Sequence, residues 1–304
     1  MAEHAIAEPE NGLMTLVQRV RGQMYNRKLI NRCSEIPLLQ RLAIQLSPHP
    51  SPRPYFVRQL EQDGNRFRFR QHGVDLVSIP ALGEDKQRTA EGFALVLGEM
   101  YALPMLCWTH VRPQPGNVVL DLGGNIGTTA LSMSRMVGSN GSVYVFEPIS
   151  HSTLKLNMES NDIKNVTVIP MAVGATSGTV QMDTNEFACD NRVVFGEGPD
   201  DKNPGRVQVP IVSVDQWCKD TGLSNVDFIK MDIEGSEEAA IHGAKELIER
   251  SMPKWSIATE HRGPDGKPTH GKVVKLLRSM GYQTKEIGND YVYAWANSSP
   301  GTKS

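Results

Sequence analysis

Three things that this chain of 304 residues lacks narrow its function before any motif is read. It has no C-x-x-C pair. Cys33, Cys107, Cys189 and Cys218 stand far apart, which argues against a zinc cage or a disulfide framework and for reduced, mostly buried thiols in a cytoplasmic protein. It has no strong charge of one sign: 32 basic residues against 34 acidic ones leave a net charge of -2, which gives no support to a nucleic-acid or membrane-surface partner. It also has no apolar run approaching the roughly 18–20 residues that span a bilayer. The opening MAEHAIAEPENG has neither the basic flank nor the apolar stretch of a secretory signal. A hydrophobic share of 39% and a charged share of 22% suit an ordinary globular protein.

What is present divides the chain into three parts. Residues 1–84 are expected to form an N-terminal extension. A polar tail covers 1–12, apolar residues recur at helical spacing from Leu13 to Leu46, and the proline-rich linker SPHPSPRPYF follows at 47–56. Then NRFRFRQHGVDLVSIP alternates like a β-hairpin with His72-Gly73 at its turn. Residues 85–297 form the main domain, and 298–304 a disordered tail. The main domain opens on a helical pattern over 89–106. From Val118 strands alternate with helices, the signature of a mostly parallel sheet covered on both faces. Strands are predicted at 118–122, 142–147, 166–173, 226–232, 255–261, 282–287 and 291–296. Helices are predicted near 127–137, 151–161, 213–220, 236–250 and 271–280. Only GND separates the last two strands, so they must pair antiparallel as an edge hairpin. A polar, glycine-rich excursion at 183–206 interrupts the alternation, and an insertion of that length is more often functional than idle.

The first strand of this series ends in VVLDLGGNIGTTA. Ligands of α/β sheets sit beyond the carboxyl ends of strands, where glycines let the backbone approach closely. Gly123, Gly124 and Gly127 meet that need, and Thr128 or Thr129 can cap or line the following helix. The dinucleotide fingerprint G-x-G-x-x-G fails here, because Leu122 stands where its first glycine belongs. Asp121 at the strand end would repel a pyrophosphate and favour a ligand bearing positive charge, such as S-adenosyl-L-methionine. The second strand ends in Glu147, spaced to accept two hydrogen bonds from ribose hydroxyls.

DLGGNIG, VFEP and FIKMDIEGSE, in this order and spacing, resemble the FkbM family of class I S-adenosyl-L-methionine-dependent methyltransferases over residues 85–297. The resemblance implies an α/β, Rossmann-like fold, a mostly parallel seven-stranded sheet with an antiparallel C-terminal hairpin, following an N-terminal helical extension. It implies that Asp121, Gly123, Gly124, Asn125 and Gly127 line the methionine side of the cofactor. Glu147, with Pro148, would take the ribose, and Met171 and Ala172 would flank the adenine. The family usually carries alanine at the position of Gly124, a small departure not expected to disturb binding.

The fourth strand runs into FIKMDIEGSEEAAI, which sets Lys230, Asp232 and Glu234 on one side if the chain stays extended. Charges this close perturb one another, as a catalytic cluster requires. Glu237 reads as a solvated helix residue. In the resembled family the K-x-D-x-E-G segment lines the active site. Glu260 and His261 close the next strand, and His261 or Asp232 is the expected general base, with Glu234 and Lys230 orienting the acceptor. His151 and His242 read as surface residues, and His270 lies in a loop bordering the substrate mouth. No metal ligand set is assigned, since two acids lack a clear third ligand. The resemblance implies O-methylation of a hydroxyl on a sugar, polyketide or similar small molecule. Nitrogen or carboxylate acceptors, a NAD-dependent oxidoreductase and a non-catalytic nucleoside-binding protein are the alternatives. The excursion and the N-terminal helices are expected to shape the acceptor pocket or a homo-oligomer contact.

Overall fold

The computed structural model describes residues 60–63, 66–71, 74–78, 90, 93, 96, 97, 107–183, 192–193 and 206–296. The N-terminal helical region, the proline linker, the 298–304 tail, Cys33, Cys189 and most of the 183–206 excursion lie outside the described residues. Residues 90, 93, 96 and 97 are helical, in line with the pattern read over 89–106.

In chain order the strands and helices are β1 (Glu61–Asp63), β2 (Arg66–Gln71), β3 (Val74–Ser78), β4 (Val118–Leu122), α1 (Thr128–Val137), β5 (Ser142–Phe146), α2 (His151–Ser160), β6 (Val166–Ile169), β7 (Ala172–Val173), β8 (Gly178–Asp183), β9 (Arg192–Val193), β10 (Arg206–Val212), α3 (Val214–Thr221), β11 (Phe228–Met231), α4 (Glu237–His242), α5 (Lys245–Ser251), β12 (Lys254–Ala258), α6 (His270–Ser279), β13 (Gln283–Ile287) and β14 (Tyr291–Trp295). Seven of these strands form the main sheet in the order β13-β14-β12-β11-β4-β5-β6. The terminal hairpin expected from GND is present. Its second strand, β14, inserts antiparallel between β12 and β13, so the sheet edge is β13. The β2–β3 hairpin is present as well, with Gln71 paired to Val74.

The central strands are covered on both faces, so they read as unbroken apolar runs. On one face Val119, Val145, Phe228 and Ala258 pack with Leu131 of α1, Leu154 and Met158 of α2, and Phe67, Phe69 and Leu76 of the β2–β3 hairpin. On the other, Leu120, Phe146, Ile229, Trp255 and Ile257 pack with Trp217 of α3, Ile241 of α4, Leu247 of α5 and Leu277 of α6. Each such large side chain contributes about 1.5–3 kcal/mol by leaving water. The alternation of neighbours between the two clusters follows the strand period of two.

Two predicted elements are divided. The strand expected over 166–173 breaks after Ile169, and β7 enters a separate four-stranded sheet of order β7-β10-β8-β9. The helix expected over 236–250 splits into α4 and α5 around Gly243, where an added Cβ would meet the Gly174 carbonyl oxygen at 2.2 Å. The second sheet escaped the sequence reading because its strands alternate between buried and exposed positions only weakly. It gives the excursion a defined base. β8 and β10 pair from Asp183↔Arg206 onward, and the Arg206 guanidinium donates to the Asp183 carboxylate at 2.8 Å.

Two asparagine side chains fasten the N-terminal hairpin to the main domain: Asn161, which accepts from the Asp75 N–H at 3.0 Å and donates to the Asp75 carbonyl at 2.6 Å, and Asn157. Asn157 on α2 is fully buried. Its Oδ1 accepts from the Val77 N–H at 2.7 Å, and its Nδ2 donates to the carbonyls of Val77 at 3.0 Å and Ile126 at 2.8 Å. Truncation strands buried backbone groups, each costing about 1–3 kcal/mol. Asn157→Ala is therefore expected to lower unfolding free energy by about 2–5 kcal/mol, measured by urea denaturation. A loss within error of zero would mean that water replaces the amide.

Candidate active site

The bend after β4 is built from residues that abandon ordinary backbone geometry. Gly123, Asn125 and Gly127 have φ of 87°, 46° and 97°, in the left-handed region. At Gly123 an added Cβ would lie 1.9 Å from the carbonyl oxygen of Asp232, so glycine is required by the approach of the segment after β11. The N–H of Asp232 in turn donates to the Leu122 carbonyl at 2.9 Å. The bend and the acidic segment are thus zipped together.

Gly124, at the position where the family usually carries alanine, is closed in by side chains of β5 and α2. A Cβ there would stand 2.1 Å from Val145 Cγ1 and 2.8 Å from Leu154 Cδ1. The missing methyl is filled by β5 and α2, and the position couples to Val145.

Asp121 also departs from expectation. It is 0% exposed, and its Oδ2 accepts from the Thr129 hydroxyl at 2.7 Å. Its register partner on the adjacent strand is Lys230, itself buried, with Nζ 3.5 Å from Asp121 Oδ1 and 3.7 Å from Asp232 Oδ2. Nζ also donates to the Gly123 carbonyl at 3.0 Å. Burial pushes the Asp121 carboxyl up, opposed by Lys230 and the Thr129 hydroxyl. Burial alone would lower the Lys230 ammonium, but Asp121 and Asp232 more than reverse that, so it stays protonated. The charge of Asp121 is compensated inside the protein. Negative potential at the rim comes from Asp232, with a side chain 41% exposed, and from the exposed Glu260. Thr129 serves Asp121, and the α1 N-cap is Gly127 with no side-chain cap.

Glu147 closes the other side of the bend. Its Oε2 accepts from the Asn125 N–H at 2.9 Å, and its Oε1 accepts from the Ile149 and Ser150 N–H groups, each at 2.8 Å. A carboxylate offers about four acceptor positions, so one is left for a ligand rather than the two expected. Burial pushes this carboxyl up against the three N–H donors. Pro148 is half-buried, Met171 packs half-buried against the core, and Ala172 is buried in β7 near Ile149.

Beyond β11 the chain does not stay extended. Glu234 has φ 55° and Gly235 φ 103°, and a Cβ on Gly235 would meet the Arg262 carbonyl oxygen at 2.2 Å. This turn brings Glu234 back towards His261, which follows β12. His261 Nδ1 lies 2.8 Å from Oε1 of Glu237, and Nε2 lies 3.5 Å from Asp232 Oδ1 and 3.6 Å from Glu234 Oε1. Glu237, expected to be solvated, is fully buried, and its Oε1 also accepts from the Gly235 N–H at 3.1 Å. Its position three residues past Glu234 on a helix start was the signal available, but only the fold reveals the histidine facing it. Burial works against charge on His261, yet the Glu237 bond and the nearby Asp232 and Glu234 raise it to about 10. A protonated ring nitrogen has no lone pair to accept a proton, so the surrounding carboxylates work against the general-base role expected of His261. Asp232, Glu234 and His261 each present a metal-capable atom, all within 4.8 Å of one another.

Three other described histidines, His270, His151 and His242, stand apart from this cluster. His270 is buried at the start of α6, between the Thr259 hydroxyl at 3.0 Å and Glu286 at 3.3 Å, so it does not border an open mouth. His151 is half-buried with Nδ1 3.1 Å from the Pro148 carbonyl, and His242 is exposed. Cys107 and Cys218 are buried free thiols, and burial pushes the Cys107 thiol up to about 12.

Two measurements test this geometry. Gly124→Ala is expected to cost about 1–3 kcal/mol by overpacking, and Val145→Ala in the same chain should recover part of that loss. Strict additivity in the double-mutant cycle would show the two sites to be uncoupled. The His261 ring, followed by NMR with a chelator present, should titrate near 10 rather than near 6.5. Since its value is raised on folding, the linked stability is full below about pH 6.5 and is lost as pH rises through about 10. Titration near 6.5 would show that the three carboxylates do not hold its proton.

Comparison with known proteins places this architecture. The family model described as "Methyltransferase FkbM domain" matches residues 121–284, more than half of the chain. A curated relative, the 2-O-methyltransferase NoeI of Sinorhizobium fredii (strain NBRC 101917 / NGR234), is 23% identical over 179 residues, covering 55% of this chain and 73% of that protein. Among solved structures, the FkbM methyltransferase of Methylobacillus flagellatus KT is 18% identical with a TM-score of 0.44, over 85% of this chain and 60% of that one. Aeropyrum pernix fibrillarin, solved with natively bound S-adenosyl-L-methionine, is 14% identical with a TM-score of 0.40, over 78% of this chain and 97% of that one. With strands in the order β13-β14-β12-β11-β4-β5-β6 and a family match running from Asp121 at the end of β4 into β13, the chain belongs to the FkbM family of S-adenosyl-L-methionine-dependent methyltransferases.

Proposed function

We propose that this methyltransferase acts on a hydroxyl oxygen of a small molecule, a saccharide or a comparable polyhydroxylated compound. The observation that carries the reading is Glu260. It is exposed beyond the carboxyl end of β12, and desolvation by its neighbours together with the charge of Asp232 pushes its carboxyl up. An alcohol needs a base at the moment of transfer, and a carboxylate of raised basicity on the rim suits that need. The curated relative's description as a 2-O-methyltransferase supports the same choice.

The residues around the β4 bend fit the cofactor. Asn125 Oδ1 is buried with no hydrogen-bond partner, and Glu147 keeps one acceptor position open. In this reading Gly123, Gly124, Asn125 and Gly127 hold the methionine side, with Asp121 and Lys230 acting behind them as positioning residues. Glu147 and Pro148 hold the ribose, and Met171 and Ala172 lie towards the adenine. When bound, S-adenosyl-L-methionine supplies a methyl group already activated on a sulfonium and leaves as neutral S-adenosyl-L-homocysteine. Glu260 takes the hydroxyl proton, and Asp232 orients the acceptor and offsets the positive charge of the sulfonium. The second sheet packs on Ile149 of the Glu147 loop, and shaping the acceptor pocket is the role proposed for the 183–206 excursion.

Glu260→Gln is expected to lower kcat by about 10²-fold or more while S-adenosyl-L-homocysteine binds with unchanged affinity in calorimetry. Unchanged turnover would remove Glu260 as the base. With labelled cofactor and a panel of saccharides and other hydroxylated small molecules, the transferred methyl should resist alkaline hydrolysis, as an ether does. A base-labile methyl ester or an N-methyl product would overturn the hydroxyl reading.

A further inference from the structure

His261, Asp232 and Glu234 meet where the ends of β11 and β12 lie side by side, at the edge assigned above to the acceptor. The spacing of their polar atoms is unusual for ion pairs. Charged hydrogen bonds between nitrogen and carboxylate oxygen draw in to about 2.7–2.9 Å. His261 Nε2 instead stands 3.5 Å from Asp232 Oδ1 and 3.6 Å from Glu234 Oε1. Two ligands bound at about 2.1 Å to one ion, at tetrahedral angles, lie about 3.4 Å apart. The three groups thus stand at separations that ligands of one ion take, with their polar atoms all within 4.8 Å of one another.

A second, separate observation concerns the other face of the ring. Glu237 is fully buried, and its Oε1 lies 2.8 Å from His261 Nδ1, which fixes the ring and turns Nε2 towards Asp232 and Glu234. A buried carboxylate on the far nitrogen is the outer-sphere arrangement that orients histidines as metal ligands. The remaining oxygen of Glu237, Oε2, is buried with no hydrogen-bond partner, so this carboxylate is not placed there by a saturated structural network. Asp232 divides its two oxygens, with Oδ2 towards Lys230 and Oδ1 towards His261. Asp121 and Asp232 face the ammonium of Lys230, while Asp232, Glu234 and Glu237 face the ring of His261.

We propose that Asp232 Oδ1, Glu234 and His261 Nε2 bind one divalent cation, with Glu237 as the outer carboxylate that orients the histidine. The donor set of one imidazole and two carboxylates favours Mn²⁺ or Zn²⁺ over Mg²⁺ and Ca²⁺, which take oxygen ligands. The cation replaces the Nε2 proton as the positive charge that these carboxylates face. Three protein ligands leave positions open for the acceptor, so the role of the cation rests on the hydroxyl-methylating reading of this same edge. It polarises the acceptor hydroxyl as a Lewis acid. The hydroxyl proton passes to Glu260, the oxygen lone pair forms the new O–CH₃ bond, and the S–CH₃ electron pair stays on sulfur.

The test uses the full chain, stripped with a chelator and titrated with Mn²⁺ under electron paramagnetic resonance, with Zn²⁺ as competitor. Wild type should bind one ion per chain. Asp232→Asn and His261→Gln should abolish that site, and Glu237→Gln should weaken it by about 10–100-fold. Circular dichroism and S-adenosyl-L-homocysteine calorimetry on each variant identify any that fail to fold. Absence of saturable binding in wild type, or equal binding in folded Asp232→Asn and His261→Gln, would overturn the proposal. Product analysis keeps it apart from the parent reading. A base-stable ether made by a protein that binds neither ion sinks the cation site alone. A saturable cation with base-labile products sinks the hydroxyl reading and leaves the cation site standing.

Discussion

A single buried ammonium ties the two halves of this active site together. Lys230 sits on β11 directly opposite Asp121 on β4, and from there its Nζ reaches the Gly123 carbonyl and faces Asp232. Removing a charge from water is costly unless it is paired and hydrogen-bonded, so neither Lys230 nor Asp121 is tolerable without the other. The same contacts fix the bend relative to the acidic segment, since the Gly123 carbonyl cannot rotate away without abandoning the lysine. Register continues the polar row outward. Ser256 lies beside Lys230 on β12, and its hydroxyl donates to the Cys107 carbonyl at 2.7 Å.

This pairing moves the functional charge of the site. With the charge of Asp121 paired to Lys230, the acids nearer solvent at this edge are Asp232, Glu234 and Glu260, with His261 among them. Each is placed by backbone that departs from the strand. The left-handed turn at Glu234 and Gly235 folds the acidic segment back, and the close approach of Gly235 to the Arg262 carbonyl holds it against the loop after β12. Glycines here do two separate jobs. Gly123 and Gly235 admit another segment's backbone, while Gly124 admits the side chains of Val145 and Leu154. The first kind cannot be exchanged without moving a strand end, whereas the second is open to compensation by a neighbour.

Burial also changes what the acids can do. Glu147 carries the charge expected at the end of a second strand, but three backbone N–H groups already occupy it, so it organises its own loop as much as it offers itself to a ligand. Glu237 resembles a surface helix acid but is fully enclosed, where it meets the His261 ring and the Gly235 N–H. The neighbours of His261 favour its charged form, while burial and the charge of Asp232 push the Glu260 carboxyl up.

The amino-acid order alone determined the strand-helix alternation, the bend at Gly123–Gly127, the final hairpin and the family, because each depends on local spacing and backbone freedom. It also picked out Asp121, Glu147, Lys230, Asp232, Glu234, Glu260 and His261 as the chemistry-bearing set. Which of them face one another is a different matter, decided by the pairing of strands far apart in the chain. Lys230 meets Asp121 through the register of β11 on β4, and His261 meets Glu237 through the packing of the β11–α4 turn against the end of β12. Ionisation and hydrogen-bonding capacity depend on the distance and burial of such partners, and these arise only when the sheet is assembled.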